Sequence, residues 1–311
     1  MRTMIDLHCD TFYEMHEYPQ KGDLAKNTLS VDIGKMQKGN VGASCFALFV
    51  HWDKNKDSWT EVCKLHDLFV DQLALNKENI VQVRTATDFR QNDRLGAILT
   101  CEEGQIIEGD LSRLAILADW GVRLFTLTWN FENDLGYPHS VDAATNDLGL
   151  KPLGIEAIGE MERQNILVDV SHLNDGGFWD VVRHAKKPFL ASHSNSRYCT
   201  PVSRNLSDEM LKALADKGGI AGLNLYPAFL SSDAEHASRI SDMVRHVEHI
   251  YKVSGLETLA LGTDFDGIDG DLEIPDISQM GKLWDALKLA HFTESELDRM
   301  WQINALRLLG E

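Results

Sequence analysis

Between residues 166 and 204 the chain repeats one design. Ile166-Leu167-Val168-Asp169-Val170 is a short apolar run rich in β-branched residues, and it leads into Ser171-His172. Such a run fits a strand buried on both faces of a parallel sheet. Phe178, Val181, Val182 and Ala185 then recur at helical spacing, and Pro188-Phe189-Leu190-Ala191 leads into Ser192-His193. Two successive strands of one βαβ unit therefore both finish on Ser-His. A parallel pair needs a crossover, usually helical, so this stretch constrains the chain to an α/β fold. The C-terminal ends of parallel strands are where such folds place their chemistry, and histidine there is a natural metal ligand. Either histidine alone reads equally well as a polar loop residue; their recurrence at equivalent positions favours a site.

The same alternation runs through the whole chain. Buried-strand patterns occupy 4–8, 42–50, 96–100, 122–128, 166–170, 188–191, 220–225 and 259–263. Between them lie helical patterns: 57–79, with Val62, Leu65, Phe69 and Leu73 on one face; 111–120, stopped by Gly121; 152–164, with proline near its start; 207–217, with Ser207 as N-cap and Gly218-Gly219 as its stop; and 237–253. Two more helical stretches close the chain, the second capped by Thr293. Eight strands alternating with helices predict a (β/α)8 TIM barrel, read as a single domain over 1–311 with C-terminal helices. A doubly wound open sheet is the alternative. No G-x-G-x-x-G, Walker sequence or G-x-S-x-G is present, which weakens nucleotide binding and serine-nucleophile hydrolysis.

Composition narrows the function classes. The 311 residues are 43% hydrophobic, enough for a full core, and the net charge of -18 argues against nucleic acid or anionic membranes as partners. The five cysteines are scattered without a C-x-x-C, no apolar run nears a membrane span, and the start has no secretory apolar region. A reduced, cytoplasmic, soluble protein is the default expectation.

The last residues of the strands supply the candidate site: His8 and Asp10, Glu102, Trp129, His172, His193 and Asp264. In a closed barrel these ends converge on one rim. His8 and Asp10 lie two apart, hence on one face of an extended segment. Two histidines plus carboxylates suit zinc or a similar divalent ion. Ligands from four strands and one glutamate able to bridge are enough for two ions roughly 3.5–4 Å apart, which would lower the pKa of a shared water towards about 7 and polarise a carbonyl. Each residue also has a plainer reading: His8–Asp10 as a hydrogen-bonded pair, Glu102-Glu103 as an acidic turn, and Asp264 and Asp266 as turn formers before Gly267. His51, His66, His184, His236, His246, His249 and His291 read as surface or helix residues.

The motifs DLHCDT, EEG after a strand, VDVSHL, ASHSNSR, RNLSDE and GTDFDG, in this order and spread nearly end to end, resemble the membrane (renal) dipeptidase family of zinc metallopeptidases. The combination is specific, although no single motif is. The resemblance implies a barrel holding two zinc ions that hydrolyses dipeptides by a metal-bridged water, L-L and also L-D. By motif, His8, Asp10 and Glu102 would bind one ion, and Glu102, His172 and His193 the other. Arg204 would hold the substrate carboxylate and Asp264 would handle a proton. A homodimer is implied in the same way. The chain shows neither a signal peptide nor a lipid-anchor tail, so it looks like a soluble bacterial-type relative.

One position departs from the pattern. The family typically carries TLTH after the fourth strand, with the histidine near the substrate; here the residues are Thr126-Leu127-Thr128-Trp129. Indole can donate a hydrogen bond but cannot accept a proton. His139, in the same long loop, is the candidate to stand in. Besides the dipeptidase, two other readings stay open: a metal-dependent amidohydrolase acting on another small amide, lactam or N-acyl amino acid, and a catalytically weak metal- or ligand-binding barrel, suggested only by Trp129.

Overall fold

A computed structural model describes residues 3–54, 57–233 and 237–310. Eight parallel strands close on themselves: β1 (Met4–Cys9), β2 (Val41–Phe49), β3 (Leu95–Glu102), β4 (Val122–Thr126), β5 (Leu167–Asp169), β6 (Leu190–Ala191), β7 (Ile220–Leu223) and β8 (Leu259–Leu261). The β2–β3 pairing is the longest, running from Ala43↔Gly96 to Phe49↔Glu102, and the ring closes where Asp6 of β1 faces Leu261 of β8. This is a (β/α)8 barrel with its helices outside. Most strand positions are buried, as parallel strands covered on both faces require.

Several elements differ from the sequence reading. A short strand, Ile80–Gln82, adds to the start of β3 outside the ring. β4 ends at Thr126, because residues 127–128 already turn into the site loop. The helix expected over 237–253 is Ile240–Ser254, preceded by a two-residue strand, Ala237–Ser238, paired with Asp271–Leu272. His236 lies outside the described residues. Thr293 caps Glu294–Asp298 with a full capping box, as its hydroxyl predicts.

The barrel is apolar at its base and polar at its top. Ile98, Leu124, Leu190, Ile220 and Ala260, early in their strands, form one buried cluster with Ala305, Leu306, Leu308 and Leu309 from the C-terminal end of the chain. Two positions further along β3 stands Thr100, and two beyond that Glu102. The strands converge closely at the top. A side chain at Gly222 or Gly262 would bring its Cβ within 1.9 and 1.8 Å of the Ser192 carbonyl oxygen, so only glycine lets β7 and β8 approach the segment that carries His193. Among the described residues no helix is long and apolar enough to cross a membrane.

Candidate metal centre

The strand ends bring the expected ligands together. Glu102 ends β3 and is 3% exposed. Its Oε2 lies 3.4 Å from His8 Nε2, while its Oε1 lies 3.2 Å from His172 Nε2 and 3.5 Å from His193 Nε2. Asp10 Oδ2 is 3.3 Å and Asp264 Oδ1 3.7 Å from the same His8 nitrogen. Asp10 sits at the N-cap of the helix Thr11–Glu17, yet its side chain makes no capping bond, which leaves both oxygens for the site. His8 and His193 stack at 3.9 Å between ring centroids.

Behind the ligands, hydrogen bonds set the tautomers. Ser192 Oγ gives its proton to Asp169 Oδ2, so towards His193 Nδ1, 2.6 Å away, it acts as the acceptor and Nδ1 as the donor. His172 Nδ1 donates likewise to Asn130 Oδ1 at 3.0 Å. Both imidazoles therefore present a lone pair at Nε2. These two nitrogens lie 2.9 Å apart with no proton to share. Burial, with Arg204 also acting on His172 and His8 on His193, holds both rings well below the usual histidine pKa, so they stay neutral as metal ligands must.

The carboxylates carry the opposite signal. Burial raises Glu102 and Asp264 to about 7. Burial alone would lower His8, but the charges of Glu102 and Asp10 hold it well above its normal value. Such a proton affinity measures negative charge lacking a counter-ion. His8 Nε2, Asp10 Oδ1 and Glu102 Oε1 are buried and without hydrogen-bond partners among the described residues. Paired lone pairs, orphaned carboxylate oxygens and an N/O donor set fit divalent cations such as zinc. His8–Glu102–His193 and His8–Asp10–Asp264 each gather ligand atoms within 4.8 Å.

The remaining candidates take different places. Asp264 has φ +63 and accepts a bond from Asn224 Nδ2 at 2.8 Å. Arg204 is buried beside the cluster, its Nη1 donating to Ser194 Oγ at 2.6 Å and its Nη2 to the His193 carbonyl at 3.0 Å, while Nε has no partner among the described residues. Burial lowers it to about 10, so it remains a cation at neutral pH. Trp129 lines a cleft of about 440 Å³ above the ligands, 6.3 Å from the His172 ring. His139 does not line that cleft. It accepts or donates at Ser203 Oγ through Nδ1, 3.0 Å away, and burial followed by the charges of Arg204 and Arg197 lowers it to about 4.

Glu103, the neighbour of the bridging candidate, is fully buried but turned away. It accepts from the backbone N–H groups of Gln105 and Trp129 and from Asn133 Nδ2. Asp266 is no simple turn former: Thr11 Oγ1 and the Ser30 N–H both donate to it.

Sequence reasoning missed some of the cleft. His51, set aside as a surface residue, lines it, and so do Tyr13, Phe49, Asn130, Tyr226 and Phe229. His51 stands two residues past β2, and the strand-end rule that gave the other candidates, applied to β2 and β7 as well, reaches it. Asn224, directly after β7, carried the same signal, and Asn130, in the loop after β4, did not. His246, also set aside, is fully buried, but it holds neighbouring loops rather than lining the cleft.

Comparisons with known proteins place the chain in a family. A family model for membrane dipeptidase, peptidase family M19, matches residues 2–311. A Klebsiella pneumoniae protein of undescribed function, from the pqqA 5' region, is 31% identical over 78% of this chain and 95% of its own length. A Schizosaccharomyces pombe protein described as an uncharacterized dipeptidase is 30% identical over 95% of this chain and 74% of its own. Among solved structures, a Rhodobacter sphaeroides metallopeptidase liganded with a phosphinate mimic of L-Ala-D-Ala superposes with a TM-score of 0.91 at 23% identity, covering 99% of this chain and 98% of that one. A probable dipeptidase from Pseudomonas aeruginosa gives a TM-score of 0.89 at 18% identity, over 100% and 95%. At such identities the superpositions establish the fold, and the sequence matches establish the family. This chain belongs to the membrane dipeptidase family, peptidase family M19, and is a metallo-dipeptidase, a hydrolase of peptide bonds.

Proposed function

We propose that the chain is a binuclear zinc dipeptidase that cleaves dipeptides of L-L and L-D configuration, with residues 1–311 acting as one barrel domain. The observation that carries this is Glu102. One buried carboxylate turns one oxygen towards His8 and the other towards His172 and His193, so a single side chain serves two ligand sets. His8, Asp10 and Glu102 would hold one ion, and Glu102, His172 and His193 the other. When bound, such ions supply Lewis acidity and a water of lowered pKa.

The chain's own residues do the rest. Asp264, oriented by Asn224, accepts the proton of the attacking water and delivers it to the leaving amine. Arg204 fixes the free carboxylate of the substrate, which limits substrates to dipeptides; its Nε, without a partner among the described residues, supports this role. Trp129 walls the cleft. His139, held by Ser203 through Nδ1 and 6.4 Å from the His172 ring between centroids, shapes the loop beside the site. The test is turnover of a panel of L-L and L-D dipeptides, with C-terminally amidated and N-acylated counterparts, by zinc-loaded protein. Preference for free dipeptides supports the reading. Turnover of amidated or N-acyl substrates in preference moves it to the broader amidohydrolase class.

A further inference from the structure

Four aromatic rings line one side of the cleft in unbroken contact. Tyr13 meets Phe49 at 4.9 Å between centroids, Phe49 meets Trp129 at 4.8 Å, and Trp129 meets His51 at 5.0 Å. They come from three places: the helix after β1, the end of β2 with the second residue beyond it, and the loop after β4. They meet tilted or edge to face, at 58° to 71°, rather than stacked flat. Tyr13, His51 and Trp129 are only half-buried, so the wall keeps apolar surface that a guest could cover. Metal coordination explains none of these rings.

The wall is also held in place. The Trp129 N–H donates to Glu103 Oε2 at 2.9 Å, and Asn133, bonded to the same carboxylate, also holds the Leu127 carbonyl and accepts from the N–H groups of Leu135 and Gly136. Glu103 does this from φ +95, a conformation non-glycine residues adopt only when their surroundings over-determine it. The loop that carries Trp129 is thereby pre-organised, which lowers the entropic cost of binding against it.

Its location says which part of a substrate it meets. Arg204 lies over the Phe229 ring at 5.4 Å, on the side of β6 and β7. The aromatic wall stands on the side of β1, β2 and β4, across the barrel mouth. A dipeptide with its carboxylate at Arg204 turns its other end towards the wall.

We propose that Tyr13, Phe49, His51 and Trp129 form the subsite for the side chain of the substrate's N-terminal residue, and that it selects bulky aromatic or long apolar side chains there. This rests on the dipeptidase reading and on the role of Arg204. Covering a benzyl group against such a wall is expected to favour Phe-Ala over Ala-Ala by about ten- to a hundredfold in kcat/KM, mostly through KM. The alanine at the second position takes whichever configuration the wild type turns over faster.

The experiment measures this ratio in metal-loaded wild type, His51→Ala, Trp129→Ala and Trp129→Phe, with metal content checked in each. The ratio should shrink towards one in the two alanine variants and survive largely in Trp129→Phe, and His51→Ala decides alone should Trp129→Ala fold poorly. The corresponding ratio for Ala-Phe against Ala-Ala should not respond. An unchanged Phe-Ala preference in His51→Ala, together with unchanged preference in any folded Trp129→Ala, overturns the proposal, as does a wild type indifferent to the first side chain. If metal-loaded wild type hydrolyses no dipeptide, the dipeptidase reading fails separately. Calorimetric binding of Phe-Ala and Ala-Ala then decides the wall: tighter Phe-Ala binding lost in His51→Ala supports it, and equal binding by wild type overturns it.

Discussion

Glu102 and Glu103 are neighbours, both buried, and their side chains answer different demands. Glu102 has an oxygen that faces two histidines and has no hydrogen-bond partner among the described residues; Glu103 accepts three N–H bonds. Glu102→Gln should therefore lose bound metal and most activity. Glu103→Gln should keep its metal while losing about 1–3 kcal/mol of stability, because an amide N–H would confront a donor. Metal analysis and thermal melts on the two variants check this; equal metal loss would place the bridge wrongly. Asp264→Asn should retain metal and lower kcat by on the order of a hundredfold, measured under saturating dipeptide. Arg204→Ala should cut kcat/KM on free dipeptides by about ten- to a thousandfold, reflecting roughly 2–5 kcal/mol for a desolvated charge pair, but change little on amidated ones. Equal losses on both substrates would remove Arg204 from carboxylate recognition.

At the level of elements, the helix Ile240–Ser254 is pinned by one histidine. His246 Nδ1 accepts from the Ser196 N–H at 3.1 Å and its Nε2 donates to the Leu230 carbonyl at 3.0 Å, so only one neutral tautomer fits. A proton on Nδ1 would face another donor. Burial, opposed by the bond to Leu230 and aided by nearby cations, lowers His246 to about 4. Between about 6.5 and 4 the unfolded chain binds a proton that the folded one refuses. The contribution of His246 is thus fully present above the unfolded value and is lost as pH falls through this window, to an extent of about 3 kcal/mol. His246→Gln, which offers an acceptor and a donor but does not titrate, should show a smaller drop in Tm between pH 7 and pH 4.5 than wild type. Parallel Tm curves for the two proteins would mean that this ring does not govern acid sensitivity.

For the molecule as a whole, the proposed ligands come from β1, β3, β5 and β6 and meet on one rim, so metal binding would tie distant parts of the chain together. An ion that binds only the folded state stabilises it by about 2.7 kcal/mol at a hundredfold excess over Kd. Zinc should accordingly raise Tm well beyond what Glu102→Gln protein shows, two ions per chain should be measured in active protein, and a chelator should abolish turnover. One ion or none in fully active protein would reject the binuclear reading.

The order of eight apolar runs, the Ser-His at two strand ends and the acids after β1, β3 and β8 were all legible in the amino-acid sequence. They are local: a strand buried on both faces must be apolar, and its last residues must be polar where chemistry or solvent begins. The sequence alone also carried the family through six ordered motifs. What it did not carry depends on which strands become neighbours. That Glu102 faces two ligand sets while Glu103 turns away to hold the Trp129 loop follows from the β-strand alternation only once β3 lies between β2 and β4. His51 entered the cleft, and His139 did not, because loop paths set side-chain direction, and no period in the sequence encodes those paths. Tyr13, Phe49, His51 and Trp129 come from separate segments, so their contact exists only in the closed barrel.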